Sequence, residues 1–234
     1  IFGGIISAVN REKGLNEILH RHAYSGGFDF LHYWKSRTWY IRGNIVFSHV
    51  QGTKEAILKT QTSFEHLFQR AGAGEVSVDS NRSFLAGMGG TVRFGKSGGK
   101  TGKLGQVFKF ETGITVRSPG LELNDIGFML TSNEINHFTW AGLHFQNPFS
   151  IFRNARLNYN HWSRWDYSGK FIYQAFNVNS HATFRNNWQA GTGLSWAAFG
   201  ISNNALRGAS AIRRLPGLQH TAYTTTDSRK KIYV

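Results

Sequence analysis

Apolar and polar residues alternate with a period of two over most of this chain. In 104–116, LGQVFKFETGITV, one face collects Leu104, Gln106, Phe108, Phe110, Thr112, Ile114 and Val116. The other collects Gly105, Val107, Lys109, Glu111, Gly113 and Thr115. Segment 187–198 sets Trp188, Ala190, Thr192, Leu194 and Trp196 against Asn187, Gln189, Gly191, Gly193 and Ser195. Segment 38–50 opposes Trp39, Ile41, Ile45 and Phe47 to Tyr40, Arg42, Asn44 and Ser48, and 83–94 opposes Phe84, Met88, Val92 and Phe94 to Ser83, Gly87, Thr91 and Arg93. Successive side chains of a strand point to opposite faces, so each segment predicts a strand with one apolar and one polar side. Noisier alternation predicts further strands at 24–34, 137–145, 155–163, 170–184 and 205–214. Ile1 to Val9 reads as a strand already under way, and LPGLQHTAYTTTDSRKKIYV at the end as a turn, a strand and an outgoing turn. The total is about ten strands, many longer than the 5–6 residues usual in globular sheets.

One stretch breaks the pattern. TKEAILKTQTSFEHLFQR (53–70) is rich in helix formers, with Ile57, Phe64 and Phe68 near one face at helical spacing. It predicts a short helix in a long loop at 53–70, either folded over a barrel mouth or lying on the surface.

The identity of the apolar positions changes the picture from sheet to barrel. Aromatic residues stand near the ends of the apolar stripes: Trp39 and Phe47, Phe84 and Phe94, Trp188 and Trp196. Such spacing suits two aromatic girdles at membrane interfaces. The reading is an all-β fold, an antiparallel transmembrane β-barrel. Its lipid-facing residues would be Trp39, Phe47, Phe84, Phe94, Phe108, Phe110, Ile114, Trp188, Leu194 and Trp196. Its lumen-facing charges would be Arg42, Arg93, Lys109, Glu111 and Arg156. Residues 1–234 are expected to be part of one β-barrel domain, incomplete at both ends.

Composition agrees. The chain has 27 Gly and 19 Phe but 3 Pro and no Cys. Without Cys there are no disulfides, thiolate zinc sites or thiol nucleophiles. No apolar run is long enough for a spanning helix, but a spanning strand needs only about 9–11 residues, half of them apolar. A mean hydropathy of −0.34 is compatible with either setting. The net charge of +14 raises nucleic-acid binding. Against it, the basic residues are scattered along the strands, apart from Arg229, Lys230 and Lys231, and no nucleic-acid motif is present.

RSPGLELNDIGFM (117–129) is the densest candidate for chemistry. Pro119-Gly120 predicts the centre of a type II turn. Glu122 and Asp125 form a possible acid/base pair of the kind glycosidases use. The plainer reading is a loop in which both carboxylates pair with Arg117 and, with Asn124, cap backbone amides. His20 and His22 share a strand face at metal-ligand spacing, without an identifiable third ligand. His137 and His144 fall near opposite ends of one strand. HWSRWDY (161–167) reads as an interfacial belt with an Arg164–Asp166 pair, or as a platform for sugar rings. SGGKTGK (97–103) lacks phosphate-loop spacing and reads as a basic hairpin turn, and NRS (81–83) is a weak glycosylation pattern. No catalytic, cofactor-binding or metal-binding residue is assigned, and no cofactor is expected.

Seven stretches carry a family resemblance: AYSGGFDF (23–30), FSHVQGTKEAI (47–57), FQRAGAGEVSVDSNRSFLAG (68–87), RSPGLELNDIGFM (117–129), NHWSRWDYSG (160–169), ALRGAS (205–210) and TDSRKK (226–231). In that order they resemble the family of unknown function DUF5916. The resemblance implies an outer-membrane barrel domain of Gram-negative surface proteins, usually C-terminal to a family-9-like carbohydrate-binding module. It implies no known reaction, and the module is absent here, so sugar binding does not carry over. The expected localisation is the bacterial outer membrane. The expected function is a pore, a transport component or an accessory scaffold for surface carbohydrate handling or protein export. Candidate partners are the lipid bilayer, other outer-membrane or periplasmic proteins, and carbohydrate; nucleic acid is not expected. Two alternatives stand beside it: a carbohydrate-active hydrolase or sugar-binding surface protein, and a soluble basic β-protein that binds nucleic acid.

Overall fold

The computed structural model describes residues 1–12, 18–74, 76–103 and 105–231. Leu104, placed above on the apolar face, lies outside them. The described residues form one antiparallel sheet of eleven strands and one helix. The strands are β1 (Phe2–Asn10), β2 (His22–Trp34), β3 (Trp39–Gln51), β4 (Phe84–Lys96), β5 (Gln106–Arg117), β6 (Glu134–Phe145), β7 (Phe152–Trp165), β8 (Phe171–Phe184), β9 (Gln189–Ser202), β10 (Ile212–Arg214) and β11 (Gly217–Thr225). From β1 to β10 each strand pairs with the next in sequence. Strand β1 pairs only with β2 and β11 only with β9, so the sheet is open rather than a closed barrel among the described residues.

Strands β2 to β9 run 12–14 residues, with alternation matching the pleat. The strand expected at 205–214 is reduced to Ile212–Arg214, because 203–211 turns, with Arg207 and Gly208 at positive φ. Both β10 and β11 lie along β9, on residues 200–202 and 189–197 respectively. They are one strand interrupted at Leu215-Pro216, where proline has no N–H to give the ladder. A register shift between β8 and β9 falls beside the same break, with Gln174 opposite Phe199 and Ala175 opposite Ala197.

The helix α1 (Lys54–Thr62) is shorter than the 53–70 expected. Thr53 Oγ1 accepts from Ala56 N–H at 3.2 Å and caps its start, with Glu55 in the first turn. At Ser63 the backbone becomes extended, and Leu67 takes a φ of 50°, so Phe64 to Arg70 continue as turns.

The connections differ between the two ends of the sheet. At one end lie 35–38, 97–105, 146–151 and 185–188, which we call the hairpin end. At the other lie 52–83, 118–133, 166–170 and 203–211, the loop end. The basic stretch 97–103 is part of the β4–β5 hairpin connection, as the sequence predicts. The buried apolar cluster is small and sits at the loop end, where Ala23, Val50 and Leu85 of β2, β3 and β4 meet Ile57 and Phe68 of the long loop. The helix-bearing loop therefore folds back onto the sheet instead of standing off it.

Candidate functional site

The pairing register sorts the side chains into two faces. Trp39, Phe47, Phe84, Phe94, Phe108, Phe110, Ile114, Leu194 and Trp196 share one face, and Trp188 stands in the turn that leads into β9. These residues do not pack into an interior: Phe108, Leu194 and Trp196 are 48, 47 and 50 % exposed. Aromatic rings gather at the hairpin end, where Trp39 stacks on Phe94 at 5.6 Å and meets Phe110 edge-on at 5.8 Å. Further round the same end, Phe145, Phe149, Phe152 and Phe184 form a chain of contacts at 5.2–5.3 Å.

Arg42, Arg93, Lys109, Glu111 and Arg156 lie on the opposite face, in cross-strand rows. Glu111 gathers three partners: Arg42 at 2.7 Å, Arg93 at 3.3 Å and the Tyr40 hydroxyl at 2.7 Å. Arg164 reaches Glu134 at 3.4 Å and the Asn136 side-chain oxygen at 3.1 Å. Between these charges runs an amide ladder that the sequence reading missed. Trp140 Nε1–H donates to Asn158, Asn158 to Asn179, Asn160 to Asn177, and Asn177 to Ser195. The signal was present as Asn at alternate positions, 158 and 160 then 177 and 179, on two neighbouring strands.

At the loop end, residues 118–133 lie on this polar face and seal it against the long loop. The Pro119-Gly120 turn closes with Leu121 N–H donating to Ser118 O at 3.2 Å. It is not the type II turn expected, because Gly120 does not take a positive φ. Glycine is required there by space: a Cβ would stand 2.2 Å from the Ala86 carbonyl oxygen. The floor is glycine for the same reason, since a Cβ on Gly87 would lie 2.1 Å from the Leu121 nitrogen.

Two histidine–carboxylate pairs pin this loop. His66 Nε2 meets Glu122 Oε2 at 2.8 Å, and His66 Nδ1 lies 2.9 Å from Pro119 O and 3.0 Å from Ser132 Oγ. The other Glu122 oxygen accepts from Asn124 N–H at 2.6 Å, and Glu122 N–H donates to Ser48 Oγ at 2.9 Å. Asp125 meets His20 Nδ1 at 2.5 Å and Arg11 Nη1 at 2.7 Å, while His20 Nε2 reaches Thr60 Oγ1 at 2.7 Å. Asn124 Oδ1 accepts from Met129 N–H at 2.6 Å. Burial alone would raise both carboxyl groups, but the partners outweigh it. His66, the Asn124 amide and His20 hold Glu122 below its ordinary value, and His20 and Arg11 do the same for Asp125.

Glu122 and Asn124 thus cap amides as expected, but the side-chain partners of Glu122 and Asp125 are His66, His20 and Arg11 rather than Arg117. Sequence spacing gave no sign of this, because Glu122 and His66 are 56 residues apart. Ser132, His66 and Glu122 touch in series, yet all three are buried and the Ser132 hydroxyl donates to Glu65 O at 3.1 Å. That arrangement clamps two loops and offers no accessible nucleophile. His20 and His22 do not act together, since His22 bonds Asn10 at the end of β1. His137 and His144 both lie on β6, on opposite faces. Arg164 and Asp166 do not pair. Asp166 accepts instead from Ser168 Oγ and Lys170 N–H and shapes the β7–β8 turn. No group of three or more metal-ligating side chains occurs among the described residues.

No curated protein matches the chain. A family model described as "Domain of unknown function (DUF5916)" matches residues 17–234. The match covers nearly the whole chain, including the clamped loop and both faces of the sheet, and the chain belongs to the DUF5916 family.

Proposed function

We propose that this sheet is the wall of a transmembrane antiparallel β-barrel in the bacterial outer membrane. Its apolar face would meet lipid and its polar face would line a water-filled lumen. The observation that carries the reading is the apolar face itself, where large side chains on strands of 12–14 residues remain exposed while the opposite face holds nearly all the charge. In water such a surface drives aggregation, and in hydrocarbon it lowers the free energy. Closure of the sheet would pair every backbone group that lipid cannot satisfy. Aromatic clustering at the hairpin end suits an interfacial girdle. Arg42, Arg93, Lys109 and Arg156 against Glu111 give the lumen a positive, anion-preferring bias. The clamped loops at one end act as a partial plug. Within that frame the protein serves as a pore or transport component, or as an accessory scaffold for surface carbohydrate handling or protein export.

Neither alternative gains support at its own residues. Glu122 and Asp125 are held by histidines within a plug, which weighs against an acid/base pair. Three of the strand arginines are paired with Glu111 and Glu134, which weighs against a nucleic-acid surface. The test is extraction of the full-length protein from its native membrane. Retention through alkaline carbonate, release by detergent, and anion-preferring conductance after reconstitution are expected. Release by carbonate without detergent would overturn the reading.

A further inference from the structure

On the polar face, three strand arginines are matched by carboxylates. Arg42 and Arg93 share Glu111, and Arg164 has Glu134. Towards the hairpin end the matching stops. Arg156 stands between His144 of β6 and His181 of β8 in the register. Lys109 lies one row further in, opposite Gly142, whose other neighbour is Asn158. Neither Arg156 nor Lys109 forms an ion pair among the described residues. Arg156, His144 and His181 line a cavity of about 480 Å³ with Tyr223, Gln189 and Asn154. No carboxylate lines it. His144 Nε2 is buried without a hydrogen-bond partner, 2.9 Å from where a Cβ on Gly142 would stand, towards the row of Lys109. The other imidazole is fixed: Tyr223 O–H meets His181 Nδ1 at 2.9 Å, and His181 Nε2 lies 3.1 Å from Asn179 Oδ1.

We propose that the His144–Arg156–His181 row is an oxyanion-binding site in which Arg156 is the anchoring guanidinium and His144 a directional donor, with Lys109 of the neighbouring row a second positive charge. Arginine presents a planar fork of N–H groups that matches phosphate and carboxylate oxygens, and charge-assisted bonds of this kind are the strong ones. The amide and hydroxyl groups of Asn154, Gln189 and Tyr223 suit the polar remainder of a hydroxylated ligand. The inference rests on the reading of this face as a lumen, and it adds a defined station for anions to a diffuse positive bias.

The test uses the full-length protein in detergent micelles, with imidazole resonances of His144 and His181 followed during titration with inorganic phosphate and, separately, acetate. Saturable movement of both rings with either anion is expected, and the anion that acts names the recognised group. Arg156→Gln should raise the half-saturating concentration about tenfold or more, the equivalent of one charge-assisted hydrogen bond. Lys109→Gln should raise it severalfold. Arg153→Gln, at a hairpin arginine bonded to Asn187, should leave it unchanged. The proposal is overturned if neither anion moves the rings, or if Arg156→Gln and Lys109→Gln both titrate like the parent. Carbonate extraction of the membranes from which the protein is purified separates the two ideas: a membrane-embedded protein that ignores both anions loses this site and keeps the barrel.

Discussion

At the scale of single residues, the loop end depends on a few side chains that satisfy one another where water is excluded. His66→Ala would leave Glu122 buried without its ionic partner, and breaking a buried pair from one side costs about 3 kcal/mol or more. Faster protease cleavage between Ser118 and Asn133, with the sheet's circular dichroism unchanged, is the expected outcome. The same pairs give the loop a pH dependence of definite sign. Both carboxyl groups are held below their ordinary values, so their contribution is complete above about pH 4–5, where free carboxylates are already ionised. It fades as acid lowers the pH through the depressed folded-state values. Protection of the Asn124 and Met129 amides, whose N–H groups donate to Glu122 and Asn124, should therefore fall at low pH, relative to the intrinsic exchange rate at each pH, and be high at neutral pH. Asn124→Ala should speed exchange at Met129 even at pH 7.

At the scale of elements, the strands were the most legible part of the chain. Period-two alternation at 38–50, 83–94 and 187–198 lies within two residues of the observed β3, β4 and β9 at most ends, because the pleat imposes the pattern directly. Alternation did not reveal the break at Leu215-Pro216 or the loss of 205–211, where turn chemistry overrides a weak apolar pattern. It gave no warning that the helix stops at Ser63, since helix formers continue to Arg70 and the stop comes from tertiary packing. The histidine partners of Glu122 and Asp125 were illegible because contacts between distant loops leave no spacing signature. Two substitutions probe element packing. Gly87→Ala would place a methyl group in the backbone of Leu121, so the 118–133 loop should lift, which protease sensitivity would show. On the proposed lipid-facing setting, Leu194→Arg, mid-strand on the apolar face, should lower stability in bilayers by about 2–4 kcal/mol. On a water-facing strand the same change would be nearly neutral, so equilibrium unfolding in lipid vesicles compared with the parent discriminates the two settings.

At the scale of the whole molecule, one sheet holds an apolar face, a polar face with amide rungs, an aromatic-rich end and a loop-clamped end. Of the stretches that carry the resemblance, RSPGLELNDIGFM forms most of the clamped loop, and FQRAGAGEVSVDSNRSFLAG brings Phe68 and Leu85 to the buried cluster at the same end. The clamp also constrains the sequence of events by which the chain acquires its shape. Residues 118–133 follow β5 in the chain but rest on β4, on Ser48 of β3 and on the loop around His66. They have nowhere to settle until those earlier parts are assembled, and closing contacts over such separations is slow. Maturation at the two ends should therefore be staggered, with local hairpins zipping early and the seal arriving late. Within that interval the polar face at the loop end would stand uncovered.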